Sequence, residues 1–129
     1  MALSHILIVD DEEDLASTLA ERLELRGFQV TAVTSGAEAL DVVSANRFSV
    51  LILDVKMPGI GGLELMTRIK QEQPDLPVIL FTGHSSLADA QKGIDEGAFA
   101  YLQKPIKIDK LVETVKGAIG GSEAQSHER

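Results

Sequence analysis

The chain has 129 residues, 44% of them hydrophobic and 25% charged, with a formal net charge of −8 and no cysteine. That length fits one domain, and the apolar share is enough for a core. The acidic balance argues against nucleic acid or an anionic membrane surface as a partner held by charge. The missing cysteines exclude disulfides, thiolate metal sites and a Cys nucleophile, and fit a cytoplasmic setting.

Five short apolar runs succeed one another: ILIV (6–9), FQVTAV (28–33), VLIL (50–53), VILF (78–81) and FAYL (99–102). The first is too short for a signal-peptide core and is closed by acids, and no segment approaches a membrane span. The run starts lie roughly 20 to 30 residues apart, about one βαβ step. Runs one, three and four are continuously apolar, the pattern of strands buried on both faces of a parallel sheet. FQVTAV alternates and is expected nearer an edge.

The segments between the runs read as helices. Leu15, Leu19 and Leu23 recur at helical spacing, with Gly27 as a stop. A shorter pattern runs between Ser35 and Asn46. Leu63, Met66 and Ile69 form a stripe closed before Pro74, and Ile108, Leu111, Val112, Val115 and Ile119 form the clearest amphipathic pattern. SLADAQKGIDEGA (86–98) is the weakest helix, with few large apolar residues and Gly93 in its middle at about 1 kcal/mol relative to Ala. It reads equally as a helix able to shift and as a marginal surface helix. GGSEAQSHER (120–129) has no period and is expected to be a disordered tail or linker, leaving 1–119 as the domain. The alternation implies an α/β doubly wound, mostly parallel sheet with ligands at the carboxyl ends of its strands.

The residues that close the strands therefore carry the functional signal. The first strand ends in Asp10-Asp11, with Glu12, Glu13 and Asp14 behind; the third in Asp54; the fourth in Thr82; the fifth in Lys104-Pro105. In a parallel sheet these ends share one edge. Carboxylates about 4 Å apart at an effective dielectric near 20 repel by on the order of 4 kcal/mol per pair. A hard divalent cation, Mg²⁺ above all, offsets that repulsion through oxygen ligands. A carboxylate nucleophile, a cation, a hydroxyl donor and a lysine are the parts that phosphoryl transfer to an aspartate requires. Each has a plainer reading alone. Asp10 and Asp11 could complement a helix dipole, Asp54 and Thr82 could be turn residues, and Lys104 an exposed loop lysine. The specificity lies in the full set at four strand ends.

The motifs ILIVDDEE, VLILDVKMPGIGG, VILFTGH and FAYLQKPI, in that order, resemble the receiver domain of bacterial two-component response regulators over about residues 4 to 119. The resemblance implies a flavodoxin-like (βα)5 fold with strand order 2-1-3-4-5. It implies Asp54 as phospho-acceptor, and Mg²⁺ (or Mn²⁺) held directly by Asp11 and Asp54, by Asp10 through water and by the backbone carbonyl of Lys56. It implies Thr82 as the switch hydroxyl, Lys104 as the phosphate-binding lysine, a cis bond before Pro105, and Tyr101 as an aromatic that turns inward when Thr82 moves. A half-buried strand-end tyrosine is the plainer reading of Tyr101. Lys56 and His84, two residues after Asp54 and Thr82, occupy variable positions that tune phosphoryl lifetime.

The implied function is a signalling switch rather than an enzyme. Its expected partners are a sensor histidine kinase or phosphotransfer protein and an unidentified downstream protein, with no direct nucleic acid or membrane binding, as a monomer or an activation-linked dimer. Its output surface is expected on the fourth helix, fifth strand and fifth helix. Three rivals stand beside it. A phosphohydrolase of the aspartyl-phosphate type wants an acid where Lys56 stands. A flavodoxin-like cofactor carrier sits poorly with one Tyr, no Trp and an acidic rim. A docking-only receiver sits poorly with the complete acid-Thr-Lys set.

Overall fold

The computed structural model describes residues 4–83 and 87–127, the last seven of these as backbone only. Five strands alternate with five helices. The strands are β1 (His5–Val9), β2 (Gln29–Val33), β3 (Val50–Asp54), β4 (Val78–Thr82) and β5 (Ala100–Gln103). The helices are α1 (Glu13–Glu24), α2 (Gly36–Ala45), α3 (Gly62–Glu72), α4 (Leu87–Asp95) and α5 (Ile108–His127). All paired strands are parallel, in the order β2-β1-β3-β4-β5. FQVTAV indeed supplies an edge strand.

The continuous apolar runs are explained by two cores, one on each face of the sheet. Leu7, Val9, Leu51, Leu53, Val78 and Leu80 meet Ala39, Val43, Leu65, Met66, Ile69 and Ala90 from α2, α3 and α4. Their strand neighbours Ile6, Ile8, Val50, Ile52, Ile79 and Phe81 meet Leu19 and Leu23 of α1 and Leu111 and Val115 of α5 on the other face. Side chains alternate across a strand, so the middle of a strand covered on both sides has no position left for a polar residue. Burying each such side chain contributes about 1.5–3 kcal/mol. Leu65, fully buried, extends the α3 stripe beyond the three residues that the spacing singles out.

Local signals place the helix starts. Ser35 caps α2, its hydroxyl accepting from the Glu38 N–H at 3.2 Å while Glu38 Oε1 accepts from the Thr34 N–H at 3.1 Å, a variant of the reciprocal capping box. α5 departs from expectation at its end. It continues as helical backbone to His127, where the sequence predicts a disordered tail from 120. The Ser-Glu-Ala-Gln stretch lacks an apolar stripe but contains good helix formers, and extending an existing helix is far easier than nucleating one. Residues 128–129 lie outside the described residues. Among the described residues, no helix is long and apolar enough to cross a membrane.

Candidate functional site

β1 and β3 are neighbours from which the chain winds outward in opposite directions. Their carboxyl ends open the crevice where such sheets take ligands. Asp54 is the last residue of β3 and Asp10 comes directly after β1; they are 5% and 0% exposed. Two buried carboxylates side by side have no place in an apolar core without partners. Asp10 Oδ1 accepts from the Glu12 N–H at 2.9 Å, and Asp54 Oδ1 accepts from the Lys56 N–H at 3.1 Å.

β5 delivers the counter-charge. The Lys104 N–H donates to the Thr82 carbonyl at 2.8 Å, tying the end of β5 to the end of β4, and the Lys104–Pro105 peptide is cis. Lys104 Nζ then lies 3.1 Å from Asp10 Oδ2, 2.5 Å from Glu12 Oε1 and 3.4 Å from Asp54 Oδ2. Burial first, and the Asp10 charge second, push the Asp54 carboxyl from 3.8 up to about 6; Lys104 and the Lys56 N–H pull it down without cancelling the rise. Burial alone would lower the Lys104 ammonium. The Glu12 hydrogen bond and the charges of Asp10 and Asp54 outweigh it and hold Lys104 above the ordinary lysine value.

Thr82 closes β4, fully buried, its hydroxyl donating to the Gly83 carbonyl at 3.0 Å. Tyr101 sits on β5, paired in register with Leu80, and is exposed. His84 lies outside the described residues.

The carboxylates that come together are Asp10, Glu12 and Asp54, each offering an oxygen within 4.8 Å of the others. Asp11 is exposed and outside that group, whereas the resemblance made it a direct ligand. Glu12 is the member that strand-end spacing does not single out. Its signal is positional: it is the N-cap of α1, two residues after Asp10. A divalent cation fits the two buried members of this set, Asp10 and Asp54. Asp10 Oδ2 is buried and accepts no hydrogen bond, although Lys104 pairs with it by charge at 3.1 Å. A sealed carboxylate oxygen with spare acceptor capacity, among all-oxygen donors, suits a hard cation such as Mg²⁺ or Mn²⁺.

Gly62 is a second residue that spacing does not mark. A Cβ there would stand 2.5 Å from the Asp54 carbonyl oxygen and 2.7 Å from both Val55 Cα and Val55 O. Its own N–H donates to Val55 O at 3.0 Å. The start of α3 therefore presses on the backbone that carries Asp54.

Comparisons with known proteins identify the family. The family model described as the response regulator receiver domain matches residues 6–116. The "uncharacterized transcriptional regulatory protein YkoG" of Bacillus subtilis is 40% identical over 119 residues, 92% of this chain and 52% of that protein. The C4-dicarboxylate transport transcriptional regulatory protein DctD of Rhizobium meliloti is 38% identical over 117 residues, 91% of this chain and 25% of that protein. The chain thus spans about half of the first relative and a quarter of the second. The crystal structure of a response regulator receiver domain protein from Clostridium thermocellum superposes with a TM-score of 0.90 at 34% identity, covering 95% of this chain and 99% of that one.

Proposed function

The chain belongs to the response regulator receiver domain family of two-component signalling, and from that premise we propose that Asp54 accepts a phosphoryl group from a phosphohistidine of a sensor kinase or phosphotransfer protein. The observation that carries this reading is the convergence of Lys104 on Asp10, Glu12 and Asp54 beside Thr82 at one end of the sheet.

The buried Asp54 carboxylate attacks phosphorus in line. Its oxygen–phosphorus bond forms as the phosphorus–nitrogen bond breaks, and the electron pair stays on the departing imidazole. Asp10, Asp54 and the Lys56 carbonyl would hold Mg²⁺, with Asp11 as the further carboxylate that the family resemblance implies. Bound there, the cation offsets the crowded carboxylates and draws charge from the transferring oxygens. Lys104 supplies a further positive charge to those oxygens. The acyl phosphate adds close to two negative charges and three acceptor oxygens. The Thr82 hydroxyl, now turned to its own loop, then finds a stronger acceptor. Its movement leaves room for Tyr101 to turn inward, and the surface of α4, β5 and α5 repacks toward a protein target.

The chain acts here as a switch in the cytoplasm rather than as an enzyme on exogenous substrate, because Lys56 stands where an aspartyl-phosphate hydrolase needs an acid. The relatives named as transcriptional regulators are much longer, so any DNA contact belongs to parts of those proteins that this chain does not match. A net charge of −8 fits that division. The direct test is incubation with a labelled acyl phosphate and Mg²⁺. Wild type takes up label and Asp54→Asn takes up none; equal labelling would remove Asp54 from this role.

A further inference from the structure

Glu12 is left without a task by this reading, although its contacts are specific. It is the N-cap of α1, yet its side chain makes no cap bond. Short side chains such as Ser, Thr, Asp and Asn are favoured at that position because they reach back to the first free N–H groups. Glu12 instead sends Oε1 to Lys104 Nζ at 2.5 Å, while its own N–H orients Asp10 at 2.9 Å. The ammonium lies nearer to Glu12 than to Asp10 at 3.1 Å or Asp54 at 3.4 Å.

We propose that Glu12 is a positioning residue whose carboxylate draws the Lys104 ammonium, which also contacts Asp10 and Asp54, toward α1, so that a divalent cation and the incoming phosphoryl group can displace it from the two buried carboxylates. The proposal rests on Asp54 being the acceptor. An ammonium and a divalent cation cannot both seat on the same few oxygens. Without a third anchor, Lys104 would have only the two buried carboxylates as partners, where attraction is strongest because the surroundings are least polar. Glu12 supplies that anchor. Its side chain is 60% exposed, against 0% for Asp10 and 8% for Asp54, so it alone of the three can follow the lysine outward when a cation takes the buried oxygens.

The experiment measures Mg²⁺ affinity by titration calorimetry and label uptake from an acyl phosphate in wild type, E12Q, E12D, K104M and E12Q/K104M, with circular dichroism as the check on folding. E12Q is expected to bind Mg²⁺ about tenfold more weakly than wild type and to take up label more slowly. In the K104M background the same substitution is expected to change affinity by less than about twofold. E12D keeps the charge and improves the helix cap but shortens the reach to Lys104, so it should fall with E12Q; a merely structural role at the helix start would leave it at wild type. An equal loss in both backgrounds would make Glu12 a direct ligand and overturn the proposal, as would an E12Q protein matching wild type. If wild type itself neither binds Mg²⁺ nor takes up label, the reading of Asp54 fails and this proposal fails with it.

Discussion

Lys104 Nζ lies 3.1 Å from Asp10 Oδ2, a carboxylate oxygen sealed from solvent that accepts no hydrogen bond. The lysine is thus the charge partner of an oxygen that has no contact with solvent in this structure. Breaking a fully buried pair from one side typically costs about 3–5 kcal/mol. Lys104 is one-fifth exposed, which tempers that figure, so Lys104→Met is expected to cost about 2 kcal/mol at neutral pH without added Mg²⁺. Saturating Mg²⁺ should narrow the gap, since the variant lacks the ammonium that competes for the same oxygens and so gains more from the cation than wild type does. Urea unfolding with and without Mg²⁺ measures both. A variant as stable as wild type without the cation would show that Asp10 is satisfied by other means.

Asp54 carries a pH signature of unusual sign for a paired carboxylate. Its folded pKa is raised from 3.8 to about 6, because burial and the Asp10 charge outweigh Lys104. The folded chain therefore holds the proton more tightly than the unfolded chain. Stability from this group is fully present below the unfolded value near 3.8 and is lost as pH rises through about 6. A rise of this size corresponds to at most about 3 kcal/mol of penalty above pH 6. Asp54→Asn should thus stabilise the protein at pH 7.5 without Mg²⁺, by about 2 kcal/mol once the lost Lys104 contact is counted. The gain should shrink toward pH 4.5. Equal stability differences at the two pH values would contradict the raised pKa.

Gly62 tests how the nucleophile's backbone is held. The atoms that a Cβ would strike are backbone atoms of Asp54 and Val55, at 2.5 to 2.7 Å, and backbone there cannot rotate away as a side chain can. Gly62→Ala is expected to cost about 2 kcal/mol or more, and to weaken Mg²⁺ binding by shifting the segment that carries the Lys56 carbonyl. Calorimetric Mg²⁺ titration beside urea unfolding would show the two effects together; a variant unchanged in both would mean that α3 can back away freely.

Much of this fold and site is legible in the amino-acid sequence. The apolar runs at 6–9, 50–53 and 78–81 are strands because continuous burial leaves each one no polar face, and the acids and hydroxyl that close them fall at one sheet edge by parallel geometry. The strand order itself comes from family resemblance, since spacing does not say which strands are neighbours. Glu12 and Asp11 show where pattern stops being informative. Adjacent acids after a strand look interchangeable in sequence, but the chain stays non-helical through Glu12, whose backbone is extended, and successive side chains there point apart. Asp10 is carried into the core and Glu12 onto Lys104, while Asp11 faces solvent. The helical backbone at 120–127 is illegible for a different reason: it has no apolar stripe to announce it.

Gly93 is the residue whose meaning differs most between sequence and structure. In sequence it is a weakness in the middle of a helix. In the structure it is buried, and a Cβ there would stand 2.3 Å from Leu80 Cδ1 and 3.1 Å from Leu63 Cδ2. α4 buries only Ala90 and Gly93, so the absence of side chains is what lets it lie close on β4. Two effects oppose each other in Gly93→Ala. Helix propensity favours alanine by about 1 kcal/mol, while overpacking a filled core costs about 1–3 kcal/mol. Leu80 is a flexible side chain but is itself fully buried, with little room to turn, so the overpacking should win by about 1 kcal/mol. Leu80→Ala removes the obstructing methyl groups. In that background the same glycine substitution should become neutral or stabilising, because the propensity gain then meets only the 3.1 Å approach to Leu63 Cδ2, the far end of a flexible side chain. Chemical denaturation of the four proteins closes the cycle. Additive effects would mean that α4 slides off β4 to admit the methyl group, and the close approach at Gly93 would then not be what fixes the helix in place.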